Sequence, residues 1–277
     1  MLHFFYHSAL AQLKEMEIYG HRGFRGKFPE NSIIGFKKAI ELGITGIELD
    51  VVVNKDKQLV ISHEPYFQRE YCLDSSGGNI QSESKYNIYQ LTQEQILKFD
   101  CGSKYYSKFP EQQKLKTTKP LFQEFIKTLN LEKVVLLLEI KSNPKEYGIS
   151  QPEPREYCEL ILNELKNYPF KSNVRIMSFD NQILEELHKI NPSFPLIYLT
   201  YLPKSPSYFL KKLSFTPFGL GMFYPTIKGR KTHMLHKANV KLFAWTVNSI
   251  SAMKKLRQDD VDGIITDFPD ILKEHLK

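Results

Sequence analysis

Short apolar runs of strand length alternate with segments whose apolar residues recur at helical spacing along most of the chain. The run from Val134 to Leu138 is continuously β-branched or leucine, as a strand buried on both faces requires. Strands that alternate with helices indicate βα units around a parallel sheet. The pattern predicts eight strands, at Ile18–Gly20, Gly46–Val52, Lys133–Ile140, Val174–Ser178, Leu196–Thr200, Gly219–Met222, Lys241–Val247 and Gly263–Thr266.

Helices are predicted between these strands. Asn31 or Ser32 is suited to cap the first helix, in which Ile33, Phe36 and Ile40 follow helical spacing. The eight predicted helices are Asn31–Leu42, Leu121–Leu129, Pro154–Asn167, Asn181–Lys189, Ser207–Leu213, Thr232–Ala238, Ser249–Arg257 and Pro269–His275. Eight βα units of this kind are the number that an α/β protein of the (β/α)₈ type contains.

One segment departs from the alternation. Two apolar runs, Val51–Val53 and Leu59–Ile61, are separated by a polar turn, which predicts a local hairpin. Residues 64–118 then bring Tyr, Ser, Gln and Lys in abundance, no strong strand, and one short helix candidate, Gln93–Phe99. A long irregular stretch in a compact domain is normally functional or mobile. We therefore interpret 64–118 as an insertion on the active face of the barrel.

Composition places the chain among soluble globular proteins. Its 277 residues are 42% hydrophobic and 25% charged, which suits one barrel domain spanning 1–277. Its three cysteines are odd in number and lack metal-ligand spacing, which argues against a disulfide framework but leaves room for one Cys72–Cys101 bridge. The longest strictly aliphatic run is far too short to form a transmembrane segment.

The start of the chain and its net charge bear on compartment and partners. Met1 to His7 has no basic segment leading into a continuous apolar one, so we expect a cytoplasmic protein, or a periplasmic or secreted one if a signal was removed. The net charge of +7 is compatible with anionic partners such as phosphate esters or nucleic acid, but we attribute most of it to a solvated, lysine-rich surface. No nucleic-acid partner is expected, because the lysines are spread along the chain and are not interleaved with aromatic residues in a recognisable module.

Polar side chains lie at the ends of several predicted strands, where a barrel carries its catalytic groups. They are His21 and Arg22 on the first strand, Glu48 and Asp50 on the second, Glu139 and Lys141 on the third, Trp245 on the seventh and Asp267 on the eighth. Residues two apart on a strand point to one face, so the carboxylates of the second and third strands converge. Such an oxygen-lined site suits one hard divalent cation, Ca²⁺ or Mg²⁺.

Two histidines accompany the carboxylates. His21 and His63 are candidates for proton transfer, since imidazole titrates near neutral pH. Cleavage of a phosphodiester needs a base for the attacking hydroxyl and an acid for the leaving alkoxide. Two histidines beside a metal site would supply both functions.

Two cations and one indole complete the candidate site. Arg22 and Lys141 can hold phosphate oxygens and stabilise the charge that develops there. The alternative for each is a structural ion pair, Arg22 with Glu48 and Lys141 with Glu139. Trp245, the only tryptophan, suits either the wall of a substrate pocket or a plug that caps the barrel core.

The motifs that carry these residues resemble the signature of the glycerophosphodiester phosphodiesterase family. They are His21-Arg22-Gly23, Pro29-Glu30-Asn31-Ser32, Glu48-x-Asp50, His63, Glu139-Ile140-Lys141, Trp245-Thr246-Val247-Asn248 and Gly263-Ile264-Ile265-Thr266-Asp267. They follow the family's order from about Ile18 to Asp270, nearly the whole chain. One departure is Glu64, which stands where many members have Asp after the histidine.

The resemblance implies a TIM barrel with an insertion after the second strand, and hydrolysis of small-molecule glycerophosphodiesters to sn-glycerol 3-phosphate and an alcohol. By position, it implies proton transfer by His21 and His63, binding of one Ca²⁺ or Mg²⁺ by Glu48, Asp50 and Glu139, and phosphate contacts from Arg22 and Lys141. In the usual proposal for the family, the neighbouring glycerol hydroxyl attacks phosphorus, and water then opens the cyclic phosphate.

Two alternatives stay open on the sequence alone. A lysophospholipase D or a phospholipase C-like lipid phosphodiesterase would keep the chemistry, with the aromatic-rich segment Tyr66 to Tyr106 covering an acyl chain. A barrel that binds such diesters without turnover is disfavoured by the intact set of histidines and carboxylates. The alcohol group, the choice of metal and the oligomeric state are not determined by the sequence.

Overall fold

Eight parallel strands close into a barrel in the computed structural model, which describes residues 16–166 and 168–275. The strands in the described residues are β1 (Glu17–Gly20), β2 (Gly46–Val53), β3 (Leu59–Ile61), β4 (Val135–Ile140), β5 (Val174–Ser178), β6 (Leu196–Thr200), β7 (Gly219–Phe223), β8 (Lys241–Trp245) and β9 (Gly263–Thr266). The barrel order is β1-β9-β8-β7-β6-β5-β4-β2, and β1 pairs with β2 to close it. β3 alone is antiparallel.

Helices alternate with the barrel strands. In the described residues they are α1 (Ile33–Glu41), α2 (Gln93–Ile96), α3 (Phe122–Thr128), α4 (Pro154–Lys166), α5 (Asn181–Ile190), α6 (Pro206–Leu210), α7 (Arg230–Lys237), α8 (Ile250–Gln258) and α9 (Pro269–Glu274). α2 lies in the segment between β3 and β4, and the other eight follow the strands in turn. The prediction of a (β/α)₈ TIM barrel with an insertion after the second strand is therefore confirmed.

The predicted boundaries agree with the observed ones within three residues, and the differences have local causes. Asn31 has a positive φ of 52°, and the extended Ser32 accepts a hydrogen bond from the backbone N–H of Gly35. α1 therefore begins at Ile33, with Ser32 and not Asn31 as its cap. The third barrel strand begins at Val135 and not at Lys133.

Parts of two predictions lie outside the described residues. Asn167, the predicted end of the fourth helix, lies outside the described residues. The segment Met1 to His7, on which the expectation of no secretory signal rests, lies outside them as well. Among the described residues, no helix combines the length and the apolar character that crossing a bilayer requires.

Successive side chains along a barrel strand alternate between a face that packs against the helices and a face that points into the barrel. On β2, Ile47, Leu49 and Val51 are fully buried in the layer between barrel and helices. The intervening Glu48 and Asp50 point into the barrel, because successive side chains on a strand face opposite sides. A smaller inner cluster fills the barrel below them, formed by Tyr19, Leu137, Met177, Ile197, Leu199, Phe243 and Ile265.

The segment after the second strand has a hydrophobic cluster of its own. The predicted hairpin is present, with Val52 opposite Val60 in the β2–β3 pair. Beyond it, Phe67 stacks on Phe99 with ring centroids 3.8 Å apart, inside a buried cluster separate from the barrel core. The Cys72–Cys101 disulfide, the one bridge that the spacing left room for, lies in this cluster. The hairpin thereby places His63 at the opening of the barrel.

Candidate active site

Three buried carboxylates meet at the carboxyl end of adjacent strands. Asp50 on β2 lies opposite Glu139 on β4 in the strand register, and Glu48 lies two residues before Asp50 on the same face. One carboxylate oxygen from each lies within 4.8 Å of the others, so the three can share an ion. The predicted convergence of Glu48, Asp50 and Glu139 is what the barrel geometry produces.

Repulsion among the three buried carboxylates is unfavourable unless a positive charge lies close to them. Burial and the neighbouring carboxylates of Asp50 and Glu139 raise the pKa of Glu48 well above its usual range. Burial also opposes ionisation of Asp50, but the charges of His63, Arg22 and Lys141 outweigh it and lower the pKa of Asp50. Two adjacent carboxylates therefore have pKa values shifted in opposite directions, a pattern typical of functional sites.

Two carboxylate oxygens remain available. Glu48 Oε1 and Asp50 Oδ1 are buried and have no hydrogen-bond partner among the described residues. The other oxygen of each is used, because Glu48 Oε2 accepts from the backbone N–H of Arg22 at 2.8 Å and Asp50 Oδ2 accepts from Asn31 at 2.9 Å. Leaving a buried charged oxygen unpaired is costly, so these atoms are suited to bind a cation.

His21 lies on one side of the carboxylates and is held by Asp267. Its Nδ1 is 2.6 Å from Asp267 Oδ1, and Asn248 donates to the other Asp267 oxygen at 2.7 Å. Burial lowers the pKa of His21 to about 4 despite the attraction of Asp267, so the ring is neutral at pH 7. A neutral ring that donates from Nδ1 carries its lone pair on Nε2, where it can accept a proton.

His63 lies on the other side and is held in the same manner. Its Nδ1 is 2.5 Å from the carboxylate of Glu64, the next residue in the chain. The Glu64 carboxylate also accepts a hydrogen bond from the Tyr71 hydroxyl at 3.3 Å. The side chain of His63 is 29% exposed, against 14% for His21, so His63 has the more open position.

The predicted phosphate-binding cations are both paired. The Arg22 guanidinium lies 2.7 Å from Glu30 and 3.4 Å from Asp50, so its carboxylate partner is not the expected Glu48, which bonds only the Arg22 backbone. Lys141 lies 2.5 Å from Glu139, as the ion-pair alternative proposed, and 3.6 Å from Asp50. Both side chains nevertheless line the catalytic cavity.

The cavity that these residues surround measures ≈ 230 Å³. One wall is apolar and comes from the later strands, through Met177, Phe179, Leu199, Trp245 and Ile265. Trp245 Nε1 is buried and has no hydrogen-bond partner among the described residues. Lys108, from the segment after β3, lines the opposite side. The cavity thus combines charged groups on one wall with an apolar face on the other.

Comparison with known proteins identifies the fold and its chemistry. A family model described as the glycerophosphoryl diester phosphodiesterase family matches residues 21–271. The chain belongs to this family. A glycerophosphodiester phosphodiesterase of Caldanaerobacter subterraneus subsp. tengcongensis is 32% identical over 260 residues, which cover 92% of this chain and 95% of that protein. The Bacillus altitudinis glycerophosphodiester phosphodiesterase is 28% identical over 262 residues, covering 92% and 95% respectively.

A solved structure agrees with the barrel. An Oleispira antarctica phosphodiesterase, solved in complex with the product sn-glycerol-3-phosphate, has a TM-score of 0.76 at 22% identity over 94% of this chain and 96% of that one. This likeness supports the fold. The family match and the curated relatives confirm that this chain is an enzyme of the glycerophosphodiester phosphodiesterase class, a phosphoric diester hydrolase.

Three residues of the site were not among the predicted ones. Arg25 pairs with Glu30 at 2.7 Å and so completes the ion-pair network around Arg22. Lys119 is buried, which lowers its pKa, and it donates to Ser62 at 2.7 Å behind the His63 segment. Asn248 orients Asp267. Arg25 and Asn248 lie in or next to a family motif, but the partners of Lys119 and Asn248 are distant in sequence, so spacing alone could not assign these roles.

Proposed function

We propose that this enzyme hydrolyses glycerophosphodiesters to sn-glycerol 3-phosphate and an alcohol, with a divalent cation at Glu48, Asp50 and Glu139. The observation that carries the proposal is the cluster of three buried carboxylates between two histidines, each histidine held through Nδ1 by a carboxylate. This set lies at the carboxyl end of a (β/α)₈ barrel, where such enzymes place their chemistry.

A hard cation suits the oxygens that the site offers. Carboxylate oxygens are the preferred ligands of Ca²⁺ and Mg²⁺, and three carboxylates leave coordination positions for substrate or water. Within this cluster, Glu48 Oε1 and Asp50 Oδ1 are buried and accept no hydrogen bond from the described residues. When bound, the cation would polarise a phosphoryl oxygen and neutralise charge that develops on phosphorus. The choice between Ca²⁺ and Mg²⁺ is left to the metal titration below.

The environments of the two histidines support different roles. Neutral His21, fixed by Asp267, is suited to take the proton from the glycerol hydroxyl next to the phosphate. That hydroxyl oxygen forms a bond to phosphorus, and the bond from phosphorus to the alcohol oxygen breaks. His63, the more exposed ring, donates a proton to the departing alkoxide. Water then opens the cyclic phosphate with the proton transfers reversed.

Binding of the phosphate and of the glycerol involves the remaining residues of the cavity. Arg22 and Lys141 are fixed beside the carboxylates and offer their remaining N–H groups to phosphate oxygens. Lys108 has no carboxylate partner among the described residues and adds a further cation from the insertion to Arg22, Arg25 and Lys141. The unpartnered indole N–H of Trp245 is suited to donate to a glycerol hydroxyl, while its ring covers the apolar wall.

The test is release of sn-glycerol 3-phosphate from glycerophosphocholine and glycerophosphoethanolamine in the presence of Ca²⁺, Mg²⁺ or EDTA. We expect release with a cation and none with EDTA. His21→Ala and His63→Ala should each lower kcat by about 100-fold or more, the usual contribution of general acid–base catalysis. His188→Ala is the matched control, because His188 stacks on Phe215 away from the site.

Each outcome has a defined meaning. Undiminished activity in both histidine variants would refute the acid–base assignment, and full activity in EDTA would refute the metal. Turnover of lysophosphatidylcholine in clear preference to glycerophosphocholine would move the substrate class to lysolipids.

A further inference from the structure

A second and larger groove begins where the catalytic cavity ends. It measures ≈ 970 Å³, against ≈ 230 Å³ for the catalytic cavity. His63 and Lys141 line both spaces, so the two meet at the place proposed for the phosphate. A phosphodiester held at this junction would have one ester group in each space. The smaller one contains the carboxylates and Trp245, so the groove receives the alcohol that leaves.

The groove has two walls that are tied together. One is formed by residues 65–90 of the insertion, and the other by the loop from Lys141 to Gln151 that joins β4 to α4. Asn87 of the first wall donates to the backbone carbonyl of Ile149 in the second at 2.9 Å. Gln151 stiffens the loop, because it accepts from the backbone of Asn143 at 3.0 Å. The groove is therefore formed before a ligand arrives, which lowers the entropy cost of binding.

Nine of the seventeen residues that line the groove carry neutral hydrogen-bonding side chains. Those with amide or hydroxyl side chains are Gln81, Ser82, Ser84, Asn87, Gln90, Ser142, Asn143, Ser150 and Gln151. Two carboxylates, Glu83 and Glu146, add acceptors, and two cations, Arg69 and Lys141, add donors. Tyr66 is the only phenyl-type ring in the described lining. The Gln90 side chain and Asn143 Nδ2 make no hydrogen bond with the described residues, so both are available to a ligand.

This chemistry discriminates between kinds of alcohol. A quaternary ammonium such as choline is typically bound by a cage of aromatic rings, which a single tyrosine does not provide. A hydroxyl group both donates and accepts, and so matches a wall that mixes amides, hydroxyls and carboxylates. The volume also lies at the upper end of ordinary ligand pockets, more than an ethanolamine group needs.

We propose that the groove binds a polyhydroxylated leaving alcohol, such as glycerol or inositol, and so selects glycerophosphodiesters of polyols. The proposal rests on the proposed function, since it assumes that the phosphate binds at the junction of the two spaces. With the phosphate at this junction, the groove determines which alcohol group is accepted, and the reaction takes place in the catalytic cavity.

The test compares kcat/KM of the wild-type enzyme, with one divalent cation throughout, on four diesters. Glycerophosphoglycerol and glycerophosphoinositol should be at least about tenfold better substrates than glycerophosphocholine and glycerophosphoethanolamine. The polar side chains of the groove form hydrogen bonds with the hydroxyl groups of a polyol, and an alcohol without these hydroxyls leaves the side chains without partners. The double variant Gln90→Ala with Asn143→Ala should lower kcat/KM for the two polyol diesters by about tenfold and leave glycerophosphoethanolamine within about twofold. Asn163→Ala, in a separate cavity beside α4, is the matched amide control.

A second variant separates hydrogen bonding from charge. Glu146→Gln keeps an acceptor but removes the negative charge, so turnover of the polyol diesters should change little. A selective loss of the choline and ethanolamine diesters in Glu146→Gln, or a wild-type preference for them, would overturn the proposal in favour of a cationic alcohol. If glycerophosphoethanolamine is hydrolysed and the polyol diesters are no better, the groove proposal fails and the proposed function stands. No turnover of any diester would overturn both.

Discussion

At the residue scale, the contact between His21 and Asp267 determines which ring nitrogen can act. Asp267 is itself fixed by Asn248 and by a longer contact of 3.9 Å to Arg25. Burial would raise the pKa of Asp267, but the charges of His21 and Arg25 and the hydrogen bond from Asn248 hold it at about 2. Asp267 is therefore ionised at pH 7 and accepts the Nδ1 proton of His21, which leaves Nε2 to face the reaction. Asp267 is a positioning residue in this scheme.

Asp267→Asn should lower kcat for release of sn-glycerol 3-phosphate by about 100-fold or more, because an amide no longer selects the tautomer with Nδ1 protonated. KM should change little, since Asp267 acts through His21. The measurement is steady-state kinetics with saturating cation, accompanied by thermal unfolding. Asp260→Asn is the control, because Asp260 is exposed and far from His21 in the fold. An equal loss in both variants would show that the effect is general and not one of positioning.

The sequence located the carboxylates and histidines because each follows an apolar strand, and strand ends meet at one face of a barrel. The sequence could not show which carboxylate each cation pairs with. Arg22 and Asn31 both have a positive φ of 52°, which turns Arg22 toward Glu30 and places Asn31 on Asp50. A positive φ is uncommon outside glycine, so the spacing did not indicate that Arg22 pairs with Glu30, and the alternative pair with Glu48 is not the one that forms.

At the scale of elements, the hairpin and the segment that follows it carry His63 and one wall of the groove. The segment has its own buried cluster, in which Phe67 and Phe99 stack. The Cys72–Cys101 bridge joins two points separated by 29 residues in sequence. Closing a loop of that length restricts the unfolded chain and so stabilises the folded segment.

The double variant Cys72→Ser with Cys101→Ser should lower the free energy of unfolding by about 3 kcal/mol, the contribution expected of a bridge closing such a loop. Urea unfolding followed by circular dichroism measures this, and a reductant should reproduce the loss in the wild type. Cys158→Ala, which removes the buried free thiol of α4, is the control for loss of a thiol. Unchanged unfolding in the double variant would show that the aromatic cluster alone holds the segment.

The barrel elements could be predicted because a strand buried on both faces reads as a continuous apolar run, as Val135 to Leu138 does in β4. The insertion could not be predicted in the same way. Its buried residues, including Phe67, Tyr71 and Tyr106, follow neither a strand period nor a helix period, because they pack from short turns and 3₁₀ segments. Their partners are set by the tertiary fold.

At the scale of the whole molecule, ion pairs join residues that are distant in sequence at both ends of the barrel. β1 pairs with β9 in register from Glu17 to Gly20. At the opening, His21 meets Asp267, 246 residues away in sequence. At the opposite end, Arg175 on β5 reaches across the interior to Glu17 at 2.7 Å. The ionisation of His21 is therefore coupled to closure of the barrel.

This coupling predicts how stability depends on pH. His21 has a pKa of about 4 in the fold and about 6.5 in an unfolded chain, so the unfolded chain binds more protons between these values. His21 therefore contributes a fall in the free energy of unfolding as pH falls from about 6.5 to about 4, on the order of 1–3 kcal/mol. Glu48, whose pKa is raised in the fold, contributes with the opposite sign, so the contribution of His21 is read as the difference between wild type and a His21 variant. Urea unfolding at pH 7.5, 6.0 and 5.0 in EDTA measures this free of metal binding.

His21→Asn should flatten the dependence, because asparagine can still donate to Asp267 but does not titrate. The acidic partner does not interfere, since the pKa of Asp267 is about 2 in the fold and its contribution is lost only below about pH 4. His188→Asn, a partly exposed histidine on α5, should keep the wild-type slope. A slope in His21→Asn that is the same as in the wild type would place the titrating group elsewhere in the barrel and would remove the argument that His21 is held neutral by burial.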